Sequence, residues 1–160
     1  MITIEKPTEK QIERMMDLIA FNAEWDEESI GDSFCFTYKN GFFFDGKNAE
    51  PFIDYCKTNY PEEWEYMTEE EGMSEDDPIV IPSWFDRYGL YDFFRIFCEY
   101  AYKDEELLRN IAEELDENFI NFSNEPDCKD QNLWDNSDTA FDSYDEYKRA
   151  LDKFKKSIEF

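Results

Sequence analysis

Apolar residues recur along the chain at helical spacing, in blocks separated by polar and acidic stretches. Ile12, Met15, Met16, Ile19 and Ala23 fall three and four apart, which marks one face of a helix. Thr8 and Gln11 form a capping box ahead of them, with Pro7 just outside, and the helix is expected to end near Asn22 to Trp25. A second helix is expected from Asn48 to about Asn59, with Phe52, Tyr55 and Cys56 facing inward. Pro61 then opens a short helical turn at Tyr60 to Trp64. From Trp84 to Tyr102, after a Ser83 cap, almost every position is aromatic or aliphatic, with Gly89 as a break. Phe93, Phe94, Ile96, Phe97, Tyr100 and Ala101 surround the cylinder, so this helix is expected at the centre of the domain. Asp104 caps the next helix, whose stripe is Leu107, Leu108, Ile111, Ala112, Leu115 and Phe119. A second capping box, Ser143 with Glu146, opens a last helix that turns Tyr147, Ala150, Leu151, Phe154 and Ile158 inward.

Between these blocks the period changes to two. Phe34, Phe36 and Tyr38 alternate with Cys35 and Thr37; Asn40-Gly41 follows, then Phe42 to Phe44. Asn-Gly between apolar runs is a hairpin signal. Ile2 to Ile4 and Ile79 to Ile81 read as short edge strands. Residues 123–142 are polar and read as a long loop, ordered by local contacts or by function. The expected fold is a single α+β domain over 1–160, mostly helical, with about five helices packed on a small antiparallel β-hairpin.

Charge changes this picture most. The chain of 160 residues carries 16 Lys plus Arg against 41 Asp plus Glu, a formal net charge of −25. Disordered acidic segments are poor in aromatics, whereas Phe, Tyr and Trp make up 19% of this sequence. The chain therefore reads as a folded domain with a core of rings and an anionic exterior. It contains no His, which removes Ser-His-Asp and Cys-His catalysis and every His-ligated metal site. Cys35, Cys56, Cys98 and Cys128 are far apart, so no CxxC pair exists; the first three lie among apolar neighbours and read as buried small hydrophobes. The five glycines are isolated and build no phosphate loop. The start lacks a basic segment followed by an apolar one, and no apolar stretch is long enough to span a bilayer. A reduced, cytoplasmic setting is expected, and the negative exterior repels lipid and nucleic acid.

The charges are segregated. From Met15 to Tyr38 there are acids and no base. From Thr58 to Asp86 there is again no base, while Glu62, Glu63, Glu65, Glu69, Glu70, Glu71, Glu75, Asp76 and Asp77 accumulate. The outer face of the helix after Asp104 adds Glu106, Glu113 and Glu117 on one line, with Glu114 and Asp116 beside it. Lys148, Arg149, Lys153, Lys155 and Lys156 are the exception, matching the negative end of the last helix dipole. Carboxylates three or four apart on a helix have Cβ atoms roughly 5 to 6 Å apart. One DNA strand carries a charge per roughly 3.4 Å of axis, with a longer distance between adjacent phosphates along the winding strand. A helix stripe can therefore offer negative charge at phosphate-like separations.

Several other readings compete. Acidity serves solubility in many proteins, and a salt-adapted host would favour it, but −25 far exceeds the magnitude of about 2 to 8 usual for a small domain. Residues 135–146 place oxygen side chains at positions 1, 3, 5, 9 and 12 of a calcium loop, yet Ala140 stands where glycine is required. Ser143 and Glu146 are explained more simply as a cap. Paired carboxylates for glycoside hydrolysis are not singled out, and a Mg²⁺ nuclease lacks the cations that would hold phosphate. No cofactor or metal is expected. Trp84 reads as core; Trp64 and Trp134 sit in acidic, polar surroundings and read as partly exposed anchors or as pins for loops.

In charge, size and aromatic content the chain resembles the DNA-mimic inhibitors of phages and mobile elements, such as antirestriction proteins and some anti-CRISPR proteins. That class shares a surface and no fold or motif, so the resemblance assigns no residue roles. It implies targets such as restriction-modification enzymes, CRISPR effector nucleases, glycosylases or DNA-packaging proteins. The expected function is non-enzymatic occupation of the nucleic-acid site of a basic protein, with the acids of 58–86 and of the Asp104 helix replacing phosphates. The alternative is an immunity protein or antitoxin that neutralises a basic toxin by charge complementarity.

Overall fold

A computed structural model describes residues 7–25, 35–37, 50–70, 78–80, 91–136 and 140–158. Helix α1 spans Glu9–Trp25. Its capping box forms as the sequence predicts: the Gln11 amide donates to Thr8 Oγ1 at 3.1 Å and the Thr8 amide to Gln11 Oε1 at 2.8 Å. Helix α2 spans Glu50–Asn59, α3 spans Pro61–Glu65, and a π-helical turn, Tyr66–Glu70, continues α3. Helix α4 spans Tyr91–Ala101 and α5 spans Glu105–Ser123, capped by Asp104, which accepts from the Leu107 amide at 3.1 Å. Helix α6, Gln131–Asp135, is capped by Asp130. Helix α7 spans Tyr144–Ser157; Ser143 Oγ accepts from the Glu146 amide at 3.2 Å. The Glu146 carboxylate reaches one residue further back than a capping box requires, to the Asp142 amide at 2.7 Å.

The α+β expectation is corrected: the described residues form a helical assembly, and among them no hairpin is shown. The turn at Asn40-Gly41 and the return strand Phe42 to Phe44 lie outside the described residues, as do Ile2 to Ile4, Asn48, Ser83 and Trp84. Cys35–Thr37 pairs antiparallel with Pro78–Val80 over three residues, Phe36 opposite Ile79. The amphipathic faces are satisfied by one another: α1 packs on α4, α5 and α7, and α4 also on α2, α3 and α5.

The buried residues form one cluster. Helix α1 shares the centre with α4, because Leu18 and Phe21 are buried as well as Ile12, Met15, Met16 and Ile19. Phe21 is the hub of an aromatic cluster. Its ring lies 5.3 Å from Phe122, 5.1 Å from Trp134 and 4.3 Å from Tyr147, centroid to centroid. A second group joins α2 to α4: Phe52 meets Phe97 edge-on at 5.8 Å and Tyr100 at 5.2 Å. Such pairs add about 0.5–1.5 kcal/mol each beyond area burial.

The polar segment after α5 is ordered by its few apolar residues. Trp134 is 3% exposed rather than partly exposed, and Cys128 and Phe141 are buried beside it. The cysteines of the core are plain hydrophobes: Cys56, Cys98 and Cys128 are free and buried, and burial pushes the Cys56 thiol to about 12. Among the described residues no helix is long and apolar enough to cross a membrane.

Candidate functional site

The acidic positions fall on two surfaces that share α4 as a neighbour: α3 packs on α4 from one part of the chain, α5 from another. On the first, Glu62 and Glu65 on α3 and Glu69 on the π-helical turn are exposed, and Glu63 is half-buried. Glu70 closes the turn, while Glu71, Glu75, Asp76 and Asp77 lie outside the described residues. The rotation of this surface is set by Trp64, which packs against the core and has the Lys57 ammonium 5.6 Å over its ring. Thr68 Oγ1 bonds the Trp64 carbonyl at 2.9 Å and holds the turn. Glu62 and Glu63 occupy the first turn of α3, where the helix dipole favours acids. These two therefore have a local structural reason to be present.

The second surface is the outside of α5. Leu107, Leu108, Ile111, Leu115 and Phe122 are buried and lock the helix about its axis. That rotation leaves Glu106, Glu113 and Glu117 exposed along one side, with Glu114 and Asp116 half-buried beside them. The acids are not equivalent. Asp116 Oδ1 accepts from Lys155 Nζ of α7 at 2.8 Å, so its charge is met locally. Glu105 pairs with Arg109 at 3.1 Å, one turn on. Burial raises the Glu114 pKa above the usual carboxylate range, and the charges of Glu117 and Glu113 raise it further. Glu113 and Glu117 lie mid-helix, away from the dipole's favourable end, and four apart. A like-charged pair at that spacing costs a helix about 0.2–0.5 kcal/mol.

Sequence reasoning missed an apolar component on both surfaces. Tyr66 is 42% exposed among Glu62, Glu63, Glu65 and Glu69, and Ile120 is 58% exposed one turn beyond Glu117. Both could have been found from spacing: each falls on the polar side of its own helix. Of the two readings open for Trp134, a partly exposed anchor or a pin for loops, its burial against Phe21 agrees with the second.

It missed also where the cations gather. Lys10 and Arg14 of α1 and Arg149 and Lys153 of α7 line one cleft. Among the described residues no group of three or more His, Cys, Asp or Glu is arranged to hold a metal ion. In the segment 135–146, Ser143 and Glu146 are engaged at the α7 cap. No family model matches the chain, and neither a curated protein nor a solved structure is detectably similar to it.

Proposed function

We propose that the protein is a non-enzymatic inhibitor that presents nucleic-acid-like charge and occupies the nucleic-acid site of a basic protein, in the manner of antirestriction or anti-CRISPR proteins. The observation that carries this reading is the outer side of α5. A buried apolar stripe fixes its rotation, and the opposite side holds Glu106, Glu113 and Glu117 with the exposed Ile120 beyond them. From Glu106 to Glu117 the helix axis rises roughly 16 Å, the axial span of about five phosphates of one DNA strand. Carboxylates held at that length on a rigid support steer a basic groove into register, and an apolar residue beside them adds desolvated contact. The pair Glu113 and Glu117 supports a role in binding because it disfavours the helix that carries it.

The partner would be a nuclease or another defence effector of the host cytoplasm. The test is competition. A partner captured from host lysate at low salt should release duplex DNA when the chain is added. The variant Glu106→Lys, Glu113→Lys, Glu117→Lys should keep its circular dichroism and melt, lose capture, and leave the partner's DNA binding intact. Capture should also fall steeply as salt rises. A partner that holds DNA and this chain together would overturn the reading. A captured toxin with no nucleic-acid site would favour the immunity-protein alternative.

A further inference from the structure

The most distinctive place outside the acidic surfaces is the cleft between α1 and α7, of about 450 Å³. In a chain with 16 cations against 41 acids, four cations converge here. Lys10 and Arg14 stand one turn apart on α1, and Arg149 and Lys153 one turn apart on α7. Like charges at that spacing repel. Arg14 has Asp17 at 3.8 Å and lies 5.5 Å from the Phe141 ring centroid. Lys10, Arg149 and Lys153 form no ion pair among the described residues, in a molecule with acids to spare.

The floor of the cleft is apolar: the rings of Tyr102, which follows α4, and Phe154 and the methyl of Ala150, all buried. One carboxylate, Glu146, lines the cleft, and one of its oxygens already accepts from the Asp142 amide. The first turn of α1 also lies at the rim, through Thr8 and Gln11, whose amides are engaged in the capping box. Of the acids, Glu146 lines the cleft and Asp17 pairs with Arg14, while exposed charges beyond about 8 Å are largely screened at physiological salt.

From this we infer that the α1/α7 cleft binds a small phosphorylated compound with a flat apolar body, of the class and size of a nucleotide. The cations take the phosphates at the rim and the ring lies on Tyr102 and Phe154. The volume is within the range of about 300–1,000 Å³ usual for small-molecule sites. This inference is independent of the acidic surfaces and of their partner.

Titration calorimetry with ATP, tripolyphosphate and adenosine tests it on the full chain. ATP should bind more tightly than tripolyphosphate, which has charge and no ring, and than adenosine, which has a ring and no charge. Arg149→Glu with Lys153→Glu should weaken ATP at least tenfold. Lys148→Glu with Lys156→Glu makes the same change of charge at exposed α7 positions that do not line the cleft, and should leave the affinity within twofold. Melting curves of both pairs confirm folding. Equal losses in the two pairs, or tripolyphosphate binding as tightly as ATP, would overturn the assignment. So would the absence of ATP binding at millimolar concentration.

Discussion

The indole of Trp134 lies flat on the ring of Phe21, centroids 5.1 Å apart and planes 7° from parallel. This contact ties a five-residue helix in a polar segment to the C-terminal half of α1. The indole Nε1 also donates to the Cys128 carbonyl at 3.0 Å, which closes the segment on itself.

Trp134→Ala should therefore cost about 3–5 kcal/mol, the range for a large buried aromatic. Trp134→Phe should keep the stack and lose the hydrogen bond, costing about 1–2 kcal/mol. Urea denaturation gives both values. If Trp134→Ala lost less than about 1 kcal/mol, the segment would be an appendage and not part of the core.

Stability should have a maximum in mild acid. Burial raises the Asp17 and Glu114 carboxyls above their ordinary values, so their contribution to stability is present below those values and is lost as pH rises through the shifted ones. Glu99 has the opposite sign. Burial pushes it up, but the hydroxyls of Tyr60 and Tyr55, at 2.5 and 2.7 Å, and the charges of Arg95 and Lys103 outweigh burial and hold it below 4.5. Its contribution is present above that value and is lost as pH falls through the lowered one. Tm should rise as pH falls from neutral through the raised Asp17 and Glu114 values, and fall again once pH drops through the lowered Glu99 value. Salt should raise Tm at neutral pH by screening self-repulsion. Glu99→Gln should flatten the acid limb. A Tm that climbs steadily from about pH 5 to about pH 8 would contradict this assignment.

Among the acids of α5, Asp116 should matter less to a basic partner than Glu113 or Glu117, since Lys155 already meets its charge. Asp116→Asn should change stability by no more than about 1 kcal/mol, as for other exposed pairs, and should weaken partner binding less than Glu113→Gln. The slope of log affinity against log salt reads the difference. A larger loss at Asp116 would mean that the partner displaces Lys155.

Local signals were legible in the sequence wherever neighbours in the chain are neighbours in space. Thr8 with Gln11, Asp104 with Leu107 and Ser143 with Glu146 cap helices because the partners lie within four residues. The apolar stripe of α5 and the inward set of α7 follow from the helical period alone. The hairpin expectation rested on an equally local cue, Asn40-Gly41, which does not say what a strand pairs with. Cys35–Thr37 finds Pro78–Val80, far along the chain, and the helices bury their faces on each other.

The candidate surfaces divide in the same way. Acid positions and the line Glu106, Glu113, Glu117 are set by composition and periodicity. Which acids are neutralised is decided by packing: Lys155 reaches Asp116 only because α7 lies on α5. In sequence, Trp134 reads equally as an exposed anchor or as a pin for its polar segment; it is a buried pin because Phe21, more than a hundred residues earlier, provides the ring it covers. Lys10 and Arg149 share a cleft only because α1 and α7 pack together. Sequence determined the long amphipathic helices and what charge they carry, since both depend on residues close together in the chain, but not α6, a short helix in a segment read as loop. Tertiary structure decided which charges meet, because burial and ion pairing depend on distance through space.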